Sequence, residues 1–206
     1  MRIKNKQSGR SMIETLGYIA VVMVVAAGIG NLVASAYSDY KLSKASLQLG
    51  ELVSAIVKAS AADEGYEEVV EMIEKCETRN PEEEGCRLIP STYRIDKGIK
   101  YHAFGGVVTV GTTKEDEYST GTEKKLTITF AGLNKKQCVE LAMKDWIGNK
   151  LADLYAIKIN YNLWYWKAYE NDQNELPVKR SKVAGVSDND GQCKNNIGNS
   201  IMWVFN

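Results

Sequence analysis

A run of about twenty apolar residues near one end of the chain, residues 16–36 (LGYIAVVMVVAAGIGNLVASA), constrains this sequence more than any other feature. At about 1.5 Å of rise per residue, such a run makes a helix of roughly 30 Å, the thickness of a bilayer's hydrocarbon core. No Lys, Arg, Asp or Glu interrupts residues 16–38, while Arg2, Lys4, Lys6 and Arg10 stand just ahead. The positive-inside rule then puts the N-terminal flank in the cytoplasm and the remainder outside. A buried helix of a soluble protein is the plainer account of such a run, and the basic flank argues against it. A secretory signal is a nearer competitor, with Ala34-Ser35-Ala36 as its formal cleavage site. Its core would be unusually long, however, and the pattern continues past it as a helix.

Glu14 lies at the start of this apolar stretch, five residues after Gly9, where a short basic leader ends. A carboxylate beside lipid costs about 2.5–3.5 kcal/mol at mid-membrane on insertion scales, and less near an interface. An acid so placed wants a partner. A cut after Gly9 would supply one, the new amine of Arg10. The other reading of Glu14 is an interfacial residue facing solvent, and of Gly9 a flexible glycine ahead of a helix.

The 206 residues suffice for one core and an extension, and 26 bases balance 26 acids, so no nucleic-acid partner is evident. Removing residues 1–9 discards Arg2, Lys4 and Lys6, most of the positive charge near the membrane. Cys76, Cys86, Cys138 and Cys193 all fall in the exported part, where cysteines pair; three connectivities are open. Zinc is the rival, but no pair has metal-type spacing and His102 is the lone histidine.

Beyond the apolar run, Leu42, Ala45, Leu49, Leu52, Val53, Ile56 and Ala59 recur at steps of three and four. This predicts an amphipathic continuation, one helix over residues 12–62 of about 75 Å, free to bend or fray at Gly28, Gly30 and Asn31. Glu64 and Gly65 end it. A short helix over 66–75 follows, with Val69, Val70 and Ile73 as its apolar face, then an acidic loop between Cys76 and Cys86 that a local disulfide would close. Strands are expected at 100–104, 106–110, 125–131, 155–161, 163–169 and 200–206. Asn134 caps a helix bearing Cys138, Leu141, Ala142 and Trp146. Residues 170–199 read as a polar stretch. The fold class is α+β: a long N-terminal helix, its first half transmembrane, packed on an antiparallel sheet head. The divisions are leader 1–9, filament-core or transmembrane helix 10–36, amphipathic half 37–62 and globular head 63–206.

These residues resemble the type IV prepilins: a basic leader ending in Gly9, a small polar Ser11 second after the cut, and glutamate fifth. The head resembles the type IVb-like pilins through Phe104-Gly105-Gly106, Leu126 to Phe130, Asp145-Trp146, Ile159-Asn160, a late cysteine and Trp203-Val204-Phe205. The resemblance implies a structural subunit of a type IV pilus-like surface filament. A prepilin peptidase would cut between Gly9 and Arg10 and N-methylate Arg10. Glu14 would pair with the Arg10 amine of a neighbouring subunit in a homopolymer raised from the inner membrane by the pilus assembly machinery. Disulfides Cys138–Cys193 and Cys76–Cys86 are expected, the first resembling the family's bridge to the sheet. The sequence departs from the family at Arg10, where an apolar residue is usual, and at residues 28–31, where a proline is often found.

Two other roles are carried: a minor pilin or type II secretion pseudopilin, and a membrane-anchored surface binding protein that never polymerises. No phosphate loop, paired catalytic acids or nucleophile elbow appears, so no enzyme, cofactor or metal is expected. Tyr161, Trp164, Tyr165, Trp166 and Tyr169 read as strand packing rather than a carbohydrate surface, His102 as structural, and residues 188–191 as a turn rather than a calcium loop.

Overall fold

The computed structural model describes residues 10–61, 65–78, 80, 82–113, 124–146, 154–160, 163–166, 176–184 and 192–206. The chain divides into two compact units, Met1–Tyr40 and Lys41–Asn206. Helix α1 (Arg10–Ser60, 51 residues) supplies the described part of the first and the opening element of the second. No break appears at Gly28, Gly30 or Asn31, where fraying was expected. Glycine weakens a helix but, unlike proline, keeps its N–H in the ladder.

The second unit holds everything else. Helix α2 (Tyr66–Glu74) buries Val69, Val70 and Ile73, the face expected. The stretch between Cys76 and Cys86 differs from a plain loop, because a short helix α3 (Glu84–Leu88) begins inside it. Glu84 in its first turn and Arg87 in its last suit the helix dipole. Gly85 lets α3 lie against α2: a Cβ there would fall 1.9 Å from the carbonyl oxygen of Met72.

Strands β1 (Arg94–Asp96) and β2 (Ile99–Tyr101) form a hairpin whose two turn residues, Lys97 and Gly98, have φ of 48° and 77°. Positive φ at both positions matches the right-handed twist of paired strands. β1 was not expected, since Ile95 alone gives no alternation to read. The strand expected at 100–104 stops at Tyr101, because residues 102–106 close the next turn. There His102 N–H donates to Gly106 O at 3.0 Å, Gly105 N–H donates to His102 O at 2.8 Å, and Gly105 has φ 89°.

Strands β3 (Val107–Thr112) and β4 (Leu126–Leu133) lead to helix α4 (Lys135–Ala142). Its Asn134 cap accepts from Gln137 N–H at 2.9 Å while Gln137 Oε1 accepts from Asn134 N–H, a complete capping box. Then come β5 (Leu154–Ile159), β6 (Leu163–Trp166), a short α5 (Arg180–Val183) within the stretch read as polar, and β7 (Asn199–Phe205).

The seven strands make one antiparallel sheet in the order β1-β2-β3-β4-β7-β5-β6. The last strand in sequence therefore lies between β4 and β5. The fold is α+β, with the Lys41–Ser60 part of α1 packed into the same core as the sheet. Ala45, Leu49, Leu52, Val53 and Ile56 join Ile73, Leu126, Ile128, Phe130, Leu141, Ile157 and Trp203 there. Burial on β4 is less alternating than its sequence suggests, since Thr127 and Thr129 are also buried.

Candidate functional site

The first unit presents apolar side chains with nothing over them. Met12, Ile13, Leu16, Tyr18, Met23, Val24, Leu32 and Val33 are exposed, Val24 at 74 %. Clean water-facing surfaces of this composition are rare in globular domains, so such a stretch marks a membrane or protein contact. By length and composition α1 can cross a membrane. Glu14 is exposed on the second turn of this helix and is the sole charged residue from 12 to 38. Arg10 is the first residue of α1, four positions earlier and so about 6 Å down the axis. Gly9 lies outside the described residues, as does the rest of the leader.

Past Tyr40 the same helix becomes part of the head through polar ties as well as apolar ones. Gln48 is buried; its Nε2 donates to Thr92 O at 2.6 Å and its Oε1 accepts the Ala103 N–H at 2.7 Å. Thr92 Oγ1 donates to Glu51 at 3.0 Å. One glutamine thus joins α1 to two separate loops of the sheet. Gln48 stands one step from the apolar stripe, and a polar residue so placed gives no sign in the sequence that a loop will close over it.

The cysteines fall into two bridges. Cys76 is bonded to Cys86, fastening the end of α2 to α3, and Cys138 to Cys193, fastening α4 to the segment ahead of β7. The oxygens of Glu83 lie beside Cys76 and Cys86, the group among the described residues with metal-ligand potential. The two sulfurs are spent on each other, however, and offer a cation no thiolate.

Aromatic rings run through the core in edge and stacked contacts. Phe104 meets His102 at 5.8 Å, His102 stacks on Phe130 at 4.9 Å, Phe130 meets Trp203 at 5.2 Å and Trp203 meets Trp146 at 5.5 Å. Trp146 donates to Leu141 O at 2.9 Å, whereas the buried Trp203 indole N–H finds no acceptor among the described residues. His102 Nδ1 accepts the Phe104 N–H at 3.2 Å, so its proton sits on Nε2, which donates to Ala131 O at 2.9 Å. Burial holds its pKa below the ordinary imidazole value, against the opposing effect of the Ala131 bond.

A second polar centre escaped the sequence reading. Asn199, fully buried, donates through Nδ2 to Leu133 O at 3.1 Å and Asn195 O at 2.6 Å. Its Oδ1 accepts from Asn160 Nδ2 at 2.9 Å. Asn160, at φ 50°, accepts the Ser200 N–H at 2.8 Å through Oδ1. Asparagine tolerates the left-handed region and here fills every valence of a buried amide. Two asparagines separated by 39 residues carry no sequence signal that they will meet.

The aromatic residues at 163–166 belong to β6, paired with β5, while Tyr161, Tyr169 and residues 188–191 lie outside the described residues. Comparisons with family models, with curated proteins and with solved structures give no match for this chain.

Proposed function

We propose that this protein is a structural subunit of a type IV pilus-like filament. The observation that carries the reading is an exposed apolar stretch of helix, residues 12–38, whose single carboxylate, Glu14, lies near its start. The resemblance of residues 1–16 to a prepilin signature supports it, as does the disulfide-braced α+β unit that follows in the chain. Cleavage falls between Gly9 and Arg10, Arg10 receives the methyl group, and the precursor waits in the inner membrane with its head outside.

In assembly the apolar helix passes from lipid to a bundle of like helices. Both surroundings are oily, so the net hydrophobic gain is small and packing and polar pairing decide register. Glu14 meets the Arg10 amine of a neighbouring copy. Removing one partner of such a buried pair leaves the other charge uncompensated, about 3–5 kcal/mol.

Mass spectrometry of sheared filaments tests the reading, with a subunit beginning at methylated Arg10 as the expected result. A filament subunit beginning at Met1 sinks the cleavage step. Glu14→Ala should abolish filaments while leaving the exported head folded; unchanged filaments would overturn the pairing. A head displayed on cells that yield no filament containing it points to a simple anchor, and trace abundance within filaments to a minor pilin or pseudopilin.

A further inference from the structure

We infer that the turn at residues 102–106 is an acid-sensitive latch between the sheet and the head portion of α1, with His102 as its trigger. The inference does not depend on filament assembly. Its basis is the placing of two consecutive amides. Ala103 N–H is held by Gln48 Oε1 of α1 at 2.7 Å, and Phe104 N–H by His102 Nδ1 at 3.2 Å. Gln48 is in turn fixed to Thr92 O, so the same side chain holds the turn and the loop ahead of β1.

Nδ1 works here as an acceptor. A second proton on the ring lands on that nitrogen and turns it into a donor facing another donor, the Phe104 N–H. The ring has little room to swing away. It is 3 % exposed, stacked on Phe130 and edged by Phe104, and Gly106 approaches so closely that a Cβ there would lie 2.6 Å from Nε2. The imidazolium therefore loses one hydrogen bond and carries its charge among apolar rings unless the turn opens. Opening frees Ala103 from Gln48.

Among the described residues no ionised neighbour rescues the charge. On β2, Lys100 reaches toward Glu74 O at 3.5 Å and Tyr101 lies under Arg94 at 4.3 Å. On α1, Lys44 is the other charged residue near Gln48, and Glu51 takes the Thr92 hydroxyl. Tyr93, in the loop ahead of β1, is held neutral by burial and by Glu51. The residue ahead of β3, Gly106, and strand β4, through Phe130 and the Ala131 carbonyl, face the ring. Burial and the Ala131 bond are the causes that act on the imidazole, and no charged side chain is among them.

With the folded pKa below the unfolded one, the closed latch is fully favoured above pH about 6.5 and loses that advantage as pH falls toward the lowered value. Amide hydrogen exchange on the full chain in detergent micelles, corrected for intrinsic rates, reads this directly. Protection at Ala103 and Phe104 should fall by up to about tenfold per pH unit below about pH 6.5, levelling once the ring is protonated. Amides of Ile128 and Trp203, which exchange only when the sheet itself opens, should stay better protected than these two throughout the range. His102→Asn, which keeps an acceptor for Phe104 and cannot titrate, should flatten the dependence. Ala103 and Phe104 no less protected than Ile128 and Trp203 across the range, or no loss at Ala103 and Phe104 while imidazole nitrogen shifts show the ring titrating, would overturn the latch. The measurement on the unaltered chain decides even if the variant fails to fold.

Discussion

At the scale of single residues, Gly106 shows how much a missing side chain can do. A Cβ at this position would stand 2.0 Å from Ala131 O, on the carbonyl that His102 Nε2 uses. Gly106→Ala must push β3 from β4 or break that bond. We expect a loss of about 1–3 kcal/mol, the usual range for overpacking, seen as a lower urea midpoint with an unchanged slope. Gly111→Ala is the control, since its Cβ meets only the Thr127 hydroxyl at 3.3 Å. The pair of glycines after Phe104 is visible in the sequence as a landmark, although strands were expected up to 104 and again from 106. That the second must lie against a histidine could not be expected, because His102 and Ala131 approach each other across 29 residues of chain. Glu14 is the opposite case. Its oddity is complete in the sequence, and the structure adds only that no described residue of its own unit covers it.

Elements were legible in proportion to their length. The apolar steps from Leu42 to Ala59 and the Asn134 cap belong to patterns long enough, or local enough, to read. α3 and β1, of five and three residues, are too short to carry a readable period and are held by contacts outside themselves. α3 depends on the Cys86 tether and on Gly85 against Met72; β1 depends on a two-residue turn and on β2. For α4 the capping box yields a direct test. Asn134→Ala removes the acceptor for Gln137 N–H at the head of a helix that carries Cys138. It should cost about 1 kcal/mol of head stability, while Asn134→Ser should cost a few tenths at most. Thermal or urea unfolding of the two variants separates a capping role from mere tolerance of a polar residue.

For the whole molecule, two bridges close loops of unlike size, and this ranks them. The Cys138–Cys193 link spans 55 residues and the Cys76–Cys86 link spans 10. In the chain-entropy model these are worth about 4 and about 3 kcal/mol. Cys138→Ser/Cys193→Ser should therefore lower the unfolding midpoint more than Cys76→Ser/Cys86→Ser, and the reverse order would mean native contacts outweigh chain entropy. The cysteine count alone left three pairings open, and strand order was beyond the sequence altogether, since alternation predicts strands and not their neighbours. The order found has a consequence for biogenesis. A ribosome supplies β7 after every other strand, yet the sheet needs it in the middle. Until residues 199–205 arrive, β4 and β5 each present a bare backbone edge toward a gap one strand wide. The nascent head is thus an unfinished arch, open to insertion by any stray extended peptide, and its own keystone arrives only after the stones on either side of it.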